Sequence, residues 1–122
     1  MYIYYNLPVF KSTYDLLQKI LILTQNFNRH YRFNLGDSLI QSTFQLFVLM
    51  FRAYDFKSDA SLLQPAREQI EIIRLHIRLL RDQKQISLPQ FVDLNEVVES
   101  ISKQCTAWQK AMNKASGRNH VV

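Results

Sequence analysis

The sequence predicts an all-α fold, an antiparallel up-down-up-down four-helix bundle formed by a single domain over residues 1–122. The chain has 122 residues, which is the length of one domain with its own core. It contains only 2 Gly and 3 Pro, too few turn-forming residues for a protein made of many short strands. Apolar residues recur at helical spacing in four segments, and short connections between long helices favour antiparallel neighbours.

Four helices and a flexible tail are predicted at about residues 8–27, 37–54, 60–85, 87–115 and 116–122. Pro8 suits a first helical position, because a residue there needs no backbone N–H. Ser58 or Asp59 is expected to cap the third helix. Ser87 and Gln90 have the spacing of a capping box at the start of the fourth.

The first two helices differ in how much apolar surface they carry. The first has two neighbouring apolar stripes, one of which includes Tyr14 and Leu21, so it is expected to pack on two neighbours. A polar connection over residues 26–35 ends near Gly36. The second helix is apolar on most sides, which indicates burial on more than one side.

Composition excludes several classes of protein. Two glycines cannot build a glycine-rich phosphate-binding or dinucleotide-binding loop. A single cysteine, Cys105, excludes intrachain disulfides and multi-cysteine metal sites, and favours a reducing compartment. No apolar run approaches the length of a membrane span, and the first ten residues lack a secretory pattern. We therefore expect a cytoplasmic protein with no membrane partner.

The sequence offers no catalytic constellation. His30, His76 and His120 lie in separate segments, and a lone helical histidine is most often structural. Pairs of glutamates on the third and fourth helices lack the histidine that a di-iron bundle places three residues after its glutamate. We expect no catalytic residue, no metal site and no cofactor, and therefore no enzyme.

Net charge is the first positive clue to function. Lys and Arg number 15 against 10 Asp and Glu, a net charge of +5, which favours polyanionic partners such as nucleic acid. One stripe of the third helix carries Arg67, Arg74, Arg78 and Arg81, followed by Lys84. Glu71 and Asp82 lie within one turn of the stripe. It is either a solvated, salt-bridged face or a phosphate-contacting stripe, whose loss at Arg74, Arg78 and Arg81 would weaken nucleic-acid binding and flatten its salt dependence.

The third helix also carries two apolar faces. The predicted core face contains Leu63, Ala66, Ile70, Ile73, Ile77 and Leu80. A nearly opposite face carries Ile72, Leu75 and Leu79, and a second stripe on the helix before it carries Phe44, Phe47 and Phe51. Either sister helices cover both faces of a wide bundle, or the outer residues form the interface of a homo-oligomer.

Two further groups of cations are candidate contacts with nucleic acid. Lys103, Lys110 and Lys114 share a face of the fourth helix, where they equally suit the helix dipole. Arg29 and Arg32 flank His30 and Tyr31 in the first connection, which is either a polar loop or a site that contacts phosphates and stacks on bases.

Three segments resemble a known family: LPVFKSTYDLL at residues 7–17, the turn from Tyr31 to Gly36, and the helical segment from Ile101 to Trp108. They are similar to the Avd-like four-helix bundle family, named after the accessory variability determinant of diversity-generating retroelements. A broader relative is the four-helix protein encoded within intervening sequences of 23S ribosomal RNA genes. The resemblance covers nearly the whole chain.

Membership implies a homopentameric, ring-like assembly of bundles with a basic surface. In the retroelement branch it also implies binding to a reverse transcriptase and to RNA or DNA, in support of mutagenic cDNA synthesis. Our first hypothesis is such a non-enzymatic accessory protein. The alternative is a structural or interaction module of the ribosomal intervening-sequence type, with no polymerase partner. A neighbouring reverse-transcriptase reading frame would distinguish the two.

Overall fold

The computed structural model describes residues 7–55 and 59–120, with side chains as far as residue 115. The long helices are α1 (Pro8–Thr24), α2 (Asp37–Asp55), α3 (Gln64–Asp82) and α4 (Leu88–His120). Each packs against its neighbours in the chain, and α1 also packs against α4, which closes the bundle. No strand occurs in the described ranges. The predicted all-α four-helix fold is confirmed for the single chain.

Contacts between side chains show that neighbouring helices are antiparallel. Each contact joins the early part of one helix to the late part of the next: Phe10 to Phe51, Ser38 to His76, Arg67 to Gln109, and Lys19 to Asp93. The helices therefore run up, down, up and down around the bundle.

The core lies on the helix faces that the period predicts, with one exception on α1. All six residues of the predicted core face of the third helix are buried. On α4, Leu94, Val98 and Ile101 are buried as well. On α1, Tyr14 and Leu21 are exposed, which corrects the prediction for that stripe. Tyr14 lies about 100° and Leu21 about 80° around the helix from the centre of the buried face, so both fall at its edge.

The predicted starts of α1 and α4 are confirmed, whereas Asp59 caps a 3₁₀ turn (Ala60–Leu63) and α3 itself starts at Gln64 rather than at residue 60. Pro8 lies in the first turn of α1. The Asp59 carboxylate accepts a hydrogen bond from the backbone N–H of Ser61 at 3.0 Å, whereas Ser58 lies outside the described residues. Ser87 and Gln90 form the capping box: Gln90 N donates to Ser87 Oγ at 3.2 Å, and Ser87 N donates to Gln90 Oε1 at 2.8 Å.

The first connection is more helical than its polar composition indicates. α1 ends at Thr24, three residues before the predicted end, and a helical turn (Arg29–Tyr31) then leads into a π-helical turn (Arg32–Gly36) that runs into α2 without a break. Gly36 is buried against the preceding segment of the chain: a Cβ there would lie 3.4 Å from side-chain atoms of Thr24 and Phe27. Such a Cβ would also lie 3.3 Å from the backbone oxygen of Tyr31, so close approach, rather than an unusual φ, favours a glycine at this position.

The ends of α3 and α4 also differ from the predicted bounds. A 3₁₀ turn (Ala60–Leu63) precedes α3, which ends at Asp82 rather than at residue 85. α4 continues to His120, past the predicted end at residue 115, while residues 121 and 122 lie outside the described residues. The flexibility expected of residues 116–122 stays a prediction. None of the described helices combines the length and apolar character needed to cross a membrane.

Lys84 terminates α3 in the left-handed backbone conformation, with φ of 61°. Lys84 N donates to Arg81 O at 3.0 Å, and Gln85 N donates to Leu80 O at 2.9 Å. This pair of bonds is a Schellman motif, in which the residue with positive φ is usually glycine. Lys84 therefore carries a backbone strain that a glycine would relieve.

Candidate nucleic-acid interface

The arginine stripe of α3 faces the seam between α3 and α4. Arg67 Nη1 donates to Gln109 Oε1 at 2.6 Å, and Arg81 Nη1 donates to the backbone oxygen of Ile86 at 3.1 Å. Both guanidiniums are half-buried, and neither has a carboxylate partner among the described residues. Their positive charges remain unneutralised, although Arg67 joins α3 to α4 and Arg81 joins it to the connection before α4.

Arg74 and Arg78, the middle of the stripe, are paired with carboxylates. Arg74 lies 3.3 Å from Glu71 and 3.0 Å from Glu99 on α4, and its side chain is 28% exposed. Arg78 Nε lies 3.2 Å from Asp82, one turn later on the same helix, and both of these side chains are well exposed. For these two residues the salt-bridged interpretation is the one that the structure favours.

Arg67 also faces the one cysteine of the chain. Cys105 is fully buried, and burial raises the pKa of its thiol to about 11, an effect that the nearby Arg67 guanidinium partly offsets. A thiol in this environment is protonated and inert at neutral pH. This is the buried structural cysteine that the helical period predicts.

The lysines of α4 join the same side of the bundle. Lys103, Lys110 and Lys114 are exposed and have no carboxylate partner among the described residues. Lys103 lines an open cleft together with Arg74 and Glu99. The fold therefore brings Lys103 close to Arg74 of the stripe, with the acidic side chains of Glu96 and Glu99 beside them.

Arg29 and Arg32 lie elsewhere, at the end of the bundle where α1 meets α2. Arg32 Nη2 donates to the backbone oxygen of Gln25 at 2.9 Å, and its guanidinium carbon lies 5.8 Å from the centre of the Phe33 ring. Lys84 is at this end too, because the turn from α3 to α4 contacts the first connection. Lys84 therefore lies at the same end of the bundle as Arg29 and Arg32, and is grouped with them instead of with the stripe.

The outer apolar face of α3 is open within the single chain. Ile72, Leu75 and Leu79 are 45%, 58% and 37% exposed, so sister helices leave this face uncovered. Phe44 on α2 is exposed as well, at 49%. Phe47 and Phe51 are half-buried instead: their rings lie 6.0 Å apart, and Phe51 stacks on Phe10 at 5.2 Å. The interface role of these residues stays a prediction, and Phe51 also serves the core.

A contact that sequence reasoning missed joins α2 to α3. Ser38 Oγ lies 2.7 Å from His76 Nε2, and His76 Nδ1 lies 2.9 Å from the backbone oxygen of Ile72. Both ring nitrogens of His76 are therefore engaged: Nε2 joins α3 to α2, and Nδ1 bonds back to the backbone of α3 itself. Finding this pair required the register of α2 against α3, which the spacing of residues along one helix does not contain. No group of side chains in the described ranges is arranged to hold a metal ion.

Comparison with known proteins identifies the family. The model of the bAvd-like family matches residues 8–112, which is most of the chain. The chain belongs to the bAvd-like family. This confirms the Avd-like resemblance carried by the segments around Pro8, Gly36 and Trp108, and the Avd-like family is of an accessory, non-catalytic type. No curated protein and no solved structure matches the chain.

Proposed function

We propose that this chain is a non-enzymatic accessory protein of a diversity-generating retroelement, where it binds nucleic acid and the reverse transcriptase and supports mutagenic cDNA synthesis. The match to the bAvd-like family over residues 8–112 carries the proposal. The alternative, a structural module of the ribosomal intervening-sequence type, shares the same family resemblance but has no polymerase partner.

The distribution of charge supports nucleic acid as one partner. Arg67 and Arg81 on α3 and the three lysines of α4 have no carboxylate partner among the described residues. Cations that no carboxylate neutralises release counterions from a polyanion when they bind phosphates, which is the main source of sequence-independent affinity.

Recovery of the tagged chain from its native host tests the partners. Both the proteins and the nucleic acids that accompany it are identified. We expect a reverse transcriptase and an RNA or DNA strand. Nucleic acid without a polymerase would support the alternative module, and recovery of neither would contradict the proposal.

The open face of α3 supports a homo-oligomer, and the family implies a pentameric ring. We expect Ile72→Asp combined with Leu79→Asp to give monomers in light scattering, because burying two unpaired carboxylates in an apolar interface strongly disfavours association. Ile22→Asp is the matched control, since Ile22 is also exposed but lies on α1. A double variant that keeps the multimeric mass would place the interface elsewhere.

A further inference from the structure

Two connections that are far apart in the sequence meet at one end of the bundle. Tyr31 Oη donates to Gln83 Oε1 at 2.9 Å, and the backbone N–H of Asn28 donates to Gln85 Oε1 at 2.9 Å. Lys84 lies between these two glutamines, and its backbone conformation is fixed by the Schellman motif. The fold thus holds Lys84 beside the helical turns that carry Arg29 and Arg32.

These three residues form a group of cations that we call the basic end: Arg29, Arg32 and Lys84. None of the three has a carboxylate partner among the described residues. The acidic residues nearest in the chain are Asp37, which is exposed, and Asp82, which is paired with Arg78. The charge of the basic end is therefore largely available to a ligand.

An aromatic ring projects into solvent at the same end. Phe33 is 62% exposed, and Arg32 lies over its ring while also bonded to Gln25 O. Arg32 uses a single N–H in that bond, so its remaining donors can reach a phosphate. The cation over the ring restricts the position of Phe33. An exposed ring with a cation over it, at the end of the bundle that also carries Arg29 and Lys84, is a combination that binds bases and phosphates together.

We propose that the basic end binds single-stranded nucleic acid, with an unpaired base stacked on Phe33 and backbone phosphates held by Arg29, Arg32 and Lys84. This inference rests on the proposed function and names a site for it. A single strand is favoured over a duplex because a paired base has no ring face to offer Phe33. An acidic peptide would use the cations but would leave the exposed ring without a partner.

The test is fluorescence anisotropy with a labelled 20-nucleotide oligouridine and a duplex RNA of equal length. We expect Phe33→Ala to weaken binding of the single strand about tenfold and to leave duplex binding within about twofold, because a stacked base is lost and no charge changes. Its salt dependence should stay parallel to that of the native protein. Phe33→Tyr should restore the affinity. Phe44→Ala, at an exposed aromatic on α2, is the matched control.

The outcomes separate this inference from the function on which it rests. If the native protein binds oligouridine and Phe33→Ala binds it equally well, the basic end is not the site, although the proposed function stands. Equal losses for single strand and duplex, or equal losses in Phe33→Ala and Phe44→Ala, would also overturn it. A native protein that binds neither RNA at low salt would overturn the function as well. Stronger binding of a poly-glutamate peptide than of oligouridine would assign the basic end to an acidic protein instead.

Discussion

The arginine stripe of α3 and the basic end carry similar side chains in different surroundings. In the stripe, Arg74 and Arg78 have carboxylates within 3.3 Å. At the basic end, Arg29 and Arg32 have none among the described residues. A row of arginines in the sequence therefore does not by itself give a surface that binds phosphate, because the availability of each charge depends on what the fold places beside it.

The difference has a simple structural origin. The stripe lies along the seam with α4, where a neighbouring helix adds Glu99 to the carboxylates of α3 itself. The basic end is made of two short connections that close the bundle, and their contact uses glutamine and tyrosine side chains instead of acids. Phosphate binding is accordingly expected more at the basic end than at the middle of the stripe.

The largest predicted effect is on the pH dependence of stability, and it arises on the interior side of the stripe, where Arg67 faces Cys105. The folded thiol has a pKa of about 11 against an ordinary value of 9.0, so between these values the unfolded chain loses its proton first. Stability should fall as pH rises through this window, by about 1.4 kcal/mol per pH unit. Urea unfolding of the native protein and of Cys105→Ala at pH 8 and at pH 10.5 measures the difference.

Two further variants connect this measurement to the comparison of the basic regions. Arg67→Gln should extend the loss of stability to higher pH, because the guanidinium lowers the pKa of the folded thiol and its removal widens the window. Arg29→Gln, at the basic end, should leave it unchanged. Identical pH dependence in the native protein and in Cys105→Ala would contradict a buried, protonated thiol.

The next effect concerns the middle of the stripe. Arg74→Gln should lower the free energy of unfolding by about 1 kcal/mol, because it leaves Glu71 and Glu99 without their shared cation. Arg78→Gln is the matched control, since its pair with Asp82 is well exposed, and we expect a change within about 0.5 kcal/mol. Thermal unfolding of both variants measures the two losses of stability. Equal losses would mean that Arg74 contributes no more to the stability of the fold than Arg78.

The smallest predicted effect on the free energy of unfolding is that of a substitution at Lys84. Lys84→Gly should raise the free energy of unfolding by about 0.5 kcal/mol, because relief of the positive φ exceeds the entropy lost by a glycine. The same change removes a cation, so the affinity for oligouridine should fall slightly. Lys84→Ala loses the cation without relieving the backbone and should gain no stability. A glycine variant no more stable than the alanine variant would be the contrary result.

Much of the fold was predictable because helical periodicity depends on neighbours along one helix. The core face of α3 and the capping box of Ser87 and Gln90 are examples. Tyr14 and Leu21 were assigned to the core because periodicity gives a stripe but not its edge, which depends on where α2 lies. The helical turns over residues 29–36 were concealed by polar composition.

The candidate site was less predictable, since it depends on contacts between helices. The sequence indicated the positions of the cations, including Arg29 and Arg32. It did not indicate that Glu99 would neutralise Arg74, because that pairing requires the register of α3 against α4. Nor did it place Lys84 beside the first connection, since that contact is made by Gln83 and Gln85 across the end of the bundle.

The salt dependence of oligouridine binding tests most directly whether the basic end binds nucleic acid. Two double variants are compared with the native protein by filter binding over a salt series: Arg29→Gln with Arg32→Gln, and Arg74→Gln with Arg78→Gln. We expect the first pair to reduce the slope of log affinity against log salt by about 1.4, the value for two lost phosphate contacts on a single strand. The second pair should change it by much less. An unchanged slope in the first pair together with a reduced slope in the second would place the phosphates on the stripe and contradict binding at the basic end.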